Sequence, residues 1–255
     1  MLLRAGPSGA EVYMLRRRQT MAFAPGAYVF PGGSVEAADS DGGHGWAGPP
    51  PGEFAGPLGL PPERAPALIR AAVRETFEEC GVLLAGPSAD TVVTDTSGPD
   101  WQAERLALAR GSLSLAELLT RRGLLLRADL LRPWSRWITP EAESRRYDAR
   151  FFTALLPTPQ RAMGGTGEAD EADEAAWLRP AAAIAAAEAG DLVLLPPTAM
   201  TLRELAACGD IPGILAARRR IIPRQPRVIF ADGQAWLDLP DLAGDEQKTE
   251  NGDDD

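Results

Sequence analysis

The stretch Leu68-Ile-Arg-Ala-Ala-Val-Arg-Glu-Thr-Phe-Glu-Glu-Cys-Gly-Val82 decides how the chain is read. On a helix at about 100° per residue, Ile69, Val73 and Phe77 recur at i, i+4 and i+8 and form one apolar stripe. Glu75, Glu78 and Glu79 fall at i, i+3 and i+4, on a face nearly opposite it. Three carboxylates in one turn repel each other, and each like-charge pair costs an isolated helix ~0.2–0.5 kcal/mol. A hard divalent cation such as Mg²⁺ takes oxygen ligands, keeps waters for a phosphate-bearing substrate, and would relieve that repulsion. A solvated acidic face is the alternative these residues leave open, and Arg74 is either a surface charge or an orienting partner for a carboxylate. Gly81 reads as the helix C-cap. Cys80, beside the carboxylates, is a poor nucleophile, because negative neighbours raise a thiol's pKa.

Upstream, residues 11–15 read as a strand and residues 27–30 as a second, running into Pro31-Gly32-Gly33. Leu2 and Leu3 read as an edge strand that begins at the first residue, which suggests a start further upstream. Residues 40–66 hold seven glycines and seven prolines and are expected to be an irregular surface insertion, with His44 a solvated loop residue. Downstream, residues 101–110 and 114–122 read as helices, the second opened by a Ser114/Glu117 capping box and stopped at Gly123. Extended segments follow at 135–138 and 150–156, then an acidic loop at 167–174, an extended 175–178, and helices at 181–189 and 198–208. Trp134, Trp137, Tyr147 and Phe152 read as core. Short strands interspersed with helices indicate a mixed α/β (α+β) domain. Its expected extent is 1–243, with a disordered acidic tail at 244–255.

Composition narrows the chemistry. The 255 residues carry 26 basic and 36 acidic side chains, a net charge of −10, and residues 245–255 account for half of it. The only lysine, Lys248, lies in that terminal run, and His44 is the only histidine. A P-loop lysine, a lysine Schiff base and a histidine-based triad are thereby excluded, so an enzyme would have to work with carboxylates, arginines, backbone groups or a metal. Acidity argues against a nucleic-acid partner. With no signal peptide and no long apolar run, a soluble cytoplasmic protein without a membrane partner is expected. Two cysteines suit a reducing compartment. Anionic substrate groups would fall to arginine clusters at 16–18, 145–146 and 218–220, with Arg18, Arg145 and Arg146 as candidate contacts.

Residues 74–82, Arg-Glu-Thr-Phe-Glu-Glu-Cys-Gly-Val, resemble the R-E-U-x-E-E-x-G-U core of the Nudix box, and Phe30-Pro31-Gly32-Gly33 looks like its upstream glycine end. The resemblance implies an α/β/α sandwich with a mixed central sheet and additional helices, and hydrolysis of a diphosphate linked to a nucleoside or similar moiety. It implies Mg²⁺ or Mn²⁺ held by Glu75, Glu78 and Glu79, the Gly33 carbonyl as a further ligand, and Arg74 in the catalytic set. The box is 27 residues longer than usual, since Arg74 follows Gly33 by 41 positions. The glutamate expected six positions after Gly33 is Asp39, so Asp39 or Glu36 would orient Arg74. Glu168 and Glu171 are candidate outside bases.

The succession FAPGAYVFPGG, RETFEECGVLL, WSRWITP, AAWLRP and LLPPT is similar to the Nudix subgroup that contains the peroxisomal coenzyme A diphosphatases of the nineteen-type. That likeness implies coenzyme A or acyl-coenzyme A as substrate, cut to 4′-phosphopantetheine or its acyl form and 3′,5′-ADP. The arginine of the coenzyme A signature, four positions before Gly26, is here Ala22. Hydrolysis of ADP-ribose, NADH or another nucleoside diphosphate derivative, and a non-catalytic ligand-binding module, stand as alternatives. The reading leaves room for a homodimer. It also expects a chain lacking residues 42–62 to fold with altered substrate affinity.

Overall fold

The structure, a computed structural model, describes residues 1–21, 23–43, 45–164, 172–231 and 234–238. Ala22, His44, Glu168, Glu171 and the tail at 244–255 lie outside the described residues. In chain order the elements are β1 (Leu2–Gly6), β2 (Gly9–Arg17), β3 (Ala27–Val29), β4 (Gly45–Ala47), α1 (Pro51–Leu58), α2 (Ala65–Cys80) and β5 (Ala85–Gly86). Then come α3 (Pro99–Ala109), α4 (Leu115–Arg122), β6 (Leu125–Arg127), β7 (Arg132–Ile138), β8 (Asp148–Leu155) and β9 (Ala172–Leu178). The chain continues through α5 (Pro180–Glu188), β10 (Val193–Leu194), α6 (Pro196–Cys208), α7 (Ile211–Ala216), β11 (Pro223–Arg224), β12 (Arg227–Ala231) and β13 (Gln234–Asp238). It divides into two compact units, one of residues 1–135 and 151–221, the other of residues 136–150 and 222–255.

In the first unit β2 is the organising strand. Val12 pairs with Leu3 of β1 and with Leu178 of β9, while Leu15 pairs with Val29 of β3 and with Ala175 of β9. β9 therefore runs along one edge of β2, and β1 and β3 share the other. β1 pairs parallel to β8, Leu2 opposite Ala154, and β10 pairs parallel to β3, so the sheet is mixed. β1 is an interior strand rather than the edge strand expected, because β8 covers its outer side.

Alternation along these strands sends side chains to two cores. Leu2, Tyr13 and Leu15 pack with Ile69, Val73 and Phe77 of α2 in one cluster. Leu3, Val12 and Met14 pack with Ala183, Leu202, Leu205 and Ile214 of α5, α6 and α7 in the other. Helices thus cover both faces, giving the expected α/β/α sandwich. Each fully buried side chain of the α2 stripe contributes about 1.5–3 kcal/mol. The residues 134, 137 and 152 are buried as expected.

Residues 40–66 differ from expectation, for they hold regular structure. Gly45–Ala47 pairs parallel to β6, which pairs antiparallel to β5, making a second, three-stranded sheet. α1 follows, with Phe54, Ala55 and Leu58 buried in the same core as α2. A short 3-10 turn at Pro62–Arg64 leads into α2. The acidic segment is also shorter than expected, since Ala172–Glu174 already belong to β9, where Asp173 and Glu174 pair with Arg16 of β2.

In the second unit, Arg136 and Trp137 of β7 pair parallel with β11, and β12 and β13 form a hairpin. Asp148 binds both Arg136 and Arg150. Tyr147 is exposed rather than core, because it sits in the turn that closes on Thr139, with the Arg145 guanidinium 5.3 Å from its ring centroid.

Candidate active site

α2 owes its ends to its sequence. Pro66 stands in its first turn, where a missing N–H costs nothing, and Gly81 closes it at φ +67, its N–H donating to the Phe77 carbonyl. Between them the Ile69, Val73 and Phe77 stripe is fully buried, which fixes the rotation of the helix and turns Glu75, Glu78 and Glu79 toward the loop that follows β3.

That loop is seated directly on the acidic turn. The Gly32 N–H donates to Glu79 Oε2 at 2.7 Å. Gly33 lies against the Glu75 carboxylate so closely that a Cβ there would collide with it. Beyond Gly33 the chain turns through a 3-10 segment at Ala37–Ser40 that places Asp39, 2% exposed, behind the turn. Arg74 meets it with a bidentate pair, Nε to Oδ1 and Nη2 to Oδ2, both 3.0 Å. The same guanidinium donates to the Ser34 carbonyl at 2.8 Å, to Glu75 Oε1 at 3.0 Å and to Glu78 Oε1 at 3.2 Å. Glu36, exposed and 3.8 Å away, is the lesser partner. Asp39 is thus the carboxylate that orients Arg74. The long box leaves this geometry intact because the extra residues start just after Asp39.

Burial pushes the Glu75 carboxyl up to about 7, against the pull of Arg74 and with the charge of Glu78 adding to the rise. Glu78 is raised as well, again by burial. Burial works against the charge of Arg74, but its bonds to Asp39 and the nearby Glu75 and Glu78 outweigh that and hold the proton more tightly than usual. Cys80 is fully buried, and its thiol is pushed up by burial first and by Glu79 second, which leaves it inert.

The structure therefore brings Gly33, Arg74, Glu75, Glu78 and Glu79 together. Glu75 and Glu78 direct oxygens at Arg74 and Glu79 directs one at Gly32, and among the described residues no three His, Cys, Asp or Glu side chains converge in metal-binding geometry. The donor set still fits a hard divalent cation. It offers only oxygens, on one turn beside a backbone loop, in surroundings that disfavour uncompensated carboxylate charge. Arg18 is half-buried at the end of β2, in the first unit. Arg145 and Arg146 belong to the second unit, Arg145 over Tyr147 and Arg146 donating to the Thr139 carbonyl.

Sequence reading passed over Arg70, which donates to the Asp39 carbonyl at 3.0 Å. Its signal was available, for it precedes Arg74 by one turn on the same face. Gln160, a clamp of the fold and not of the carboxylate turn, was also missed. It is buried and clamps residues just past α2, accepting from Leu83 N and donating to the Leu83 and Val93 carbonyls. Nothing local marks a glutamine 77 positions away for that task.

The family model described as the NUDT19 Nudix domain matches residues 53–205. The acyl-coenzyme A diphosphatase NUDT19 of Gallus gallus is 31% identical over 228 residues, covering 75% of this chain and 60% of that protein. Its Homo sapiens namesake is 28% identical over 294 residues, covering 96% and 74%. A putative nudix hydrolase 7 of Caenorhabditis elegans is 29% identical over 200 residues, covering 78% and 57%. The chain spans about 60% of the length of the first of these relatives. A crystal structure of a NUDIX hydrolase from Alicyclobacillus acidocaldarius superposes with a TM-score of 0.69 at 28% identity, covering 86% of this chain and 94% of that one. Among the described residues no helix is long and apolar enough to cross a membrane. With a sheet sandwiched between helices, a glycine loop seated on an acidic helical turn and a family match over 53–205, the chain belongs to the Nudix family, in its NUDT19 branch.

Proposed function

We propose that the chain hydrolyses the diphosphate of coenzyme A or an acyl-coenzyme A, releasing 4′-phosphopantetheine or its acyl form and 3′,5′-ADP. The observation that carries this reading is the seating of the Gly32-Gly33 loop on Glu75 and Glu79, with Arg74 locked on Asp39 and donating to Glu78. The substrate class is supported by likeness to proteins named acyl-coenzyme A diphosphatases. Glu75, Glu78 and Glu79, with the Gly33 carbonyl, would hold Mg²⁺ or Mn²⁺. Bound there, the cation would lower the pKa of a water and neutralise charge on the diphosphate.

The chain's own groups do the rest. Asp39 and the Ser34 carbonyl fix the Arg74 guanidinium, which offsets part of the cost of burying the Glu75 and Glu78 carboxyls and holds them in place when no cation is bound. A cation would compete with Arg74 for those oxygens. Arg18, Arg145 and Arg146 are proposed for the substrate's phosphates, as planar donors suited to them. Two free cysteines agree with a reducing cytoplasm.

The test is a substrate panel of coenzyme A, acyl-coenzyme A, ADP-ribose and NADH with Mg²⁺ or Mn²⁺, with products weighed and ¹⁸O-water locating the attacked phosphorus. Glu78→Gln should lower kcat on the best substrate by ~100-fold or more, the scale of losing one group that stabilises developing charge. Equal activity of wild type and Glu78→Gln would refute the carboxylate mechanism. Rapid cleavage of ADP-ribose with none of coenzyme A would instead assign the alternative substrate, to which Ala22 in place of the signature arginine points.

A further inference from the structure

The last four carbonyls of an α-helix lack intrahelical partners and must find them elsewhere. At the end of α2 the Phe77 carbonyl takes the Gly81 N–H, and the Cys80 carbonyl takes the Met163 N–H at 2.8 Å. The Glu78 carbonyl is taken by a side chain from another helix, Arg105 Nε of α3, at 2.7 Å. Arg105 is 1% exposed, among the most buried large side chains of the protein. Its fork is spread over the surroundings of that carbonyl, Nη2 donating to the Gly164 carbonyl at 3.2 Å and Nη1 reaching Gln102 Oε1 at 3.5 Å. It lies on the inward face of α3, one turn from Trp101, whose ring packs edge-on against Phe77 at 6.0 Å. A guanidinium at this point also meets the negative end of the α2 dipole.

We propose that Arg105 is a positioning residue for the Nudix carboxylates, a buried cap supplied by α3 to the turn that carries Glu78 and Glu79. By gripping the peptide of Glu78 itself, it fixes the direction in which that side chain and its neighbour leave the helix. A lysine could take the Glu78 carbonyl but could not reach from it to Gly164, because it lacks the planar fork. The inference rests on the proposed metal-dependent hydrolysis.

The experiment compares wild type, Arg105→Lys and Arg105→Met with Gln160→Met. Gln160 is an equally buried clamp that holds residues 83 and 93 but not the Glu78 turn. Mn²⁺ affinity is read by electron paramagnetic resonance, kcat and KM at saturating metal, and Tm for each protein. Loss of a group that orients a metal ligand costs metal affinity or activity about 10–100-fold. Arg105→Met should therefore bind Mn²⁺ at least about 10-fold more weakly and lose kcat by a similar factor. KM should change little, and the conservative lysine should fall between wild type and methionine. Gln160→Met should lose Tm with wild-type Mn²⁺ affinity. Arg105→Lys that folds with wild-type Mn²⁺ affinity and kcat would overturn the proposal alone, as would equal metal defects in Gln160→Met. Wild type that neither binds Mn²⁺ nor hydrolyses any diphosphate would overturn the proposed function together with it.

Discussion

At Gly33 the requirement is for space rather than for backbone freedom. A side chain at this position would enter the volume held by the Glu75 carboxylate, and that carboxylate is the movable end of a flexible chain. Gly33→Ala should therefore displace Glu75 without unfolding anything. The expected result is a Tm within about 2 °C of wild type, on the scale of a surface substitution worth ±0.5 kcal/mol, together with at least ~10-fold weaker Mn²⁺ binding. Calorimetric titration and a thermal melt on the same sample decide it. Unchanged metal affinity would mean that Glu75 has another place to stand. Arg74 shows the complementary logic. Buried beside Asp39, it is a charge that its partner makes tolerable, and breaking such a pair leaves an uncompensated ion in the interior.

Among the elements, α1 is the one that changes the account of the insertion. Phe54 and Leu58 sit in the same core as Ile69 and Phe77, Leu58 with no exposure at all. Leu58→Ala should cost about 2–5 kcal/mol, a loss of roughly 5–20 °C in Tm. Removal of residues 42–62 should prevent stable folding rather than tune affinity. A Leu58→Ala protein within 1 kcal/mol of wild type by urea titration would show that α1 is dispensable.

The same helix shows where sequence reading stops. α2 was legible because its apolar residues keep a strict spacing and its stop is a glycine. α1 hid because its boundaries are made of the residues that look like helix breakers. Pro51 occupies the first turn and Gly59 the left-handed cap at φ +60, places both residues favour. β4 hid for a different reason: three residues find their partner at 125–127, and no local pattern announces so distant a pairing. At the site, Glu75, Glu78 and Glu79 were legible from helical spacing, and Asp39 was one of two candidates until burial separated it from Glu36. Arg105 was not, although an arginine between Trp101 and Leu108 on one helical face is a charge placed where the core should be.

For the molecule as a whole, the consequence of this arrangement is linkage between metal and fold. Gly32, Gly33, Asp39, Arg74 and the three glutamates all belong to the first unit, and α2, which carries four of them, is packed by its apolar stripe against the central sheet. A cation that binds this folded turn and not the unfolded chain must stabilise the unit by mass action. At a free concentration 100 times its Kd the gain is about 2.7 kcal/mol. For a unit of this size that is a rise of about 5–10 °C in Tm. Differential scanning calorimetry of the chelator-treated protein with and without Mn²⁺ should show the rise, and Glu75→Gln/Glu78→Gln should show less than a quarter of it at the same concentration. NaCl at matched ionic strength controls for screening, which acts on the net charge of −10 without regard to the triad. If NaCl alone reproduces the rise in both proteins, the three carboxylates are an acidic surface and not a binding turn.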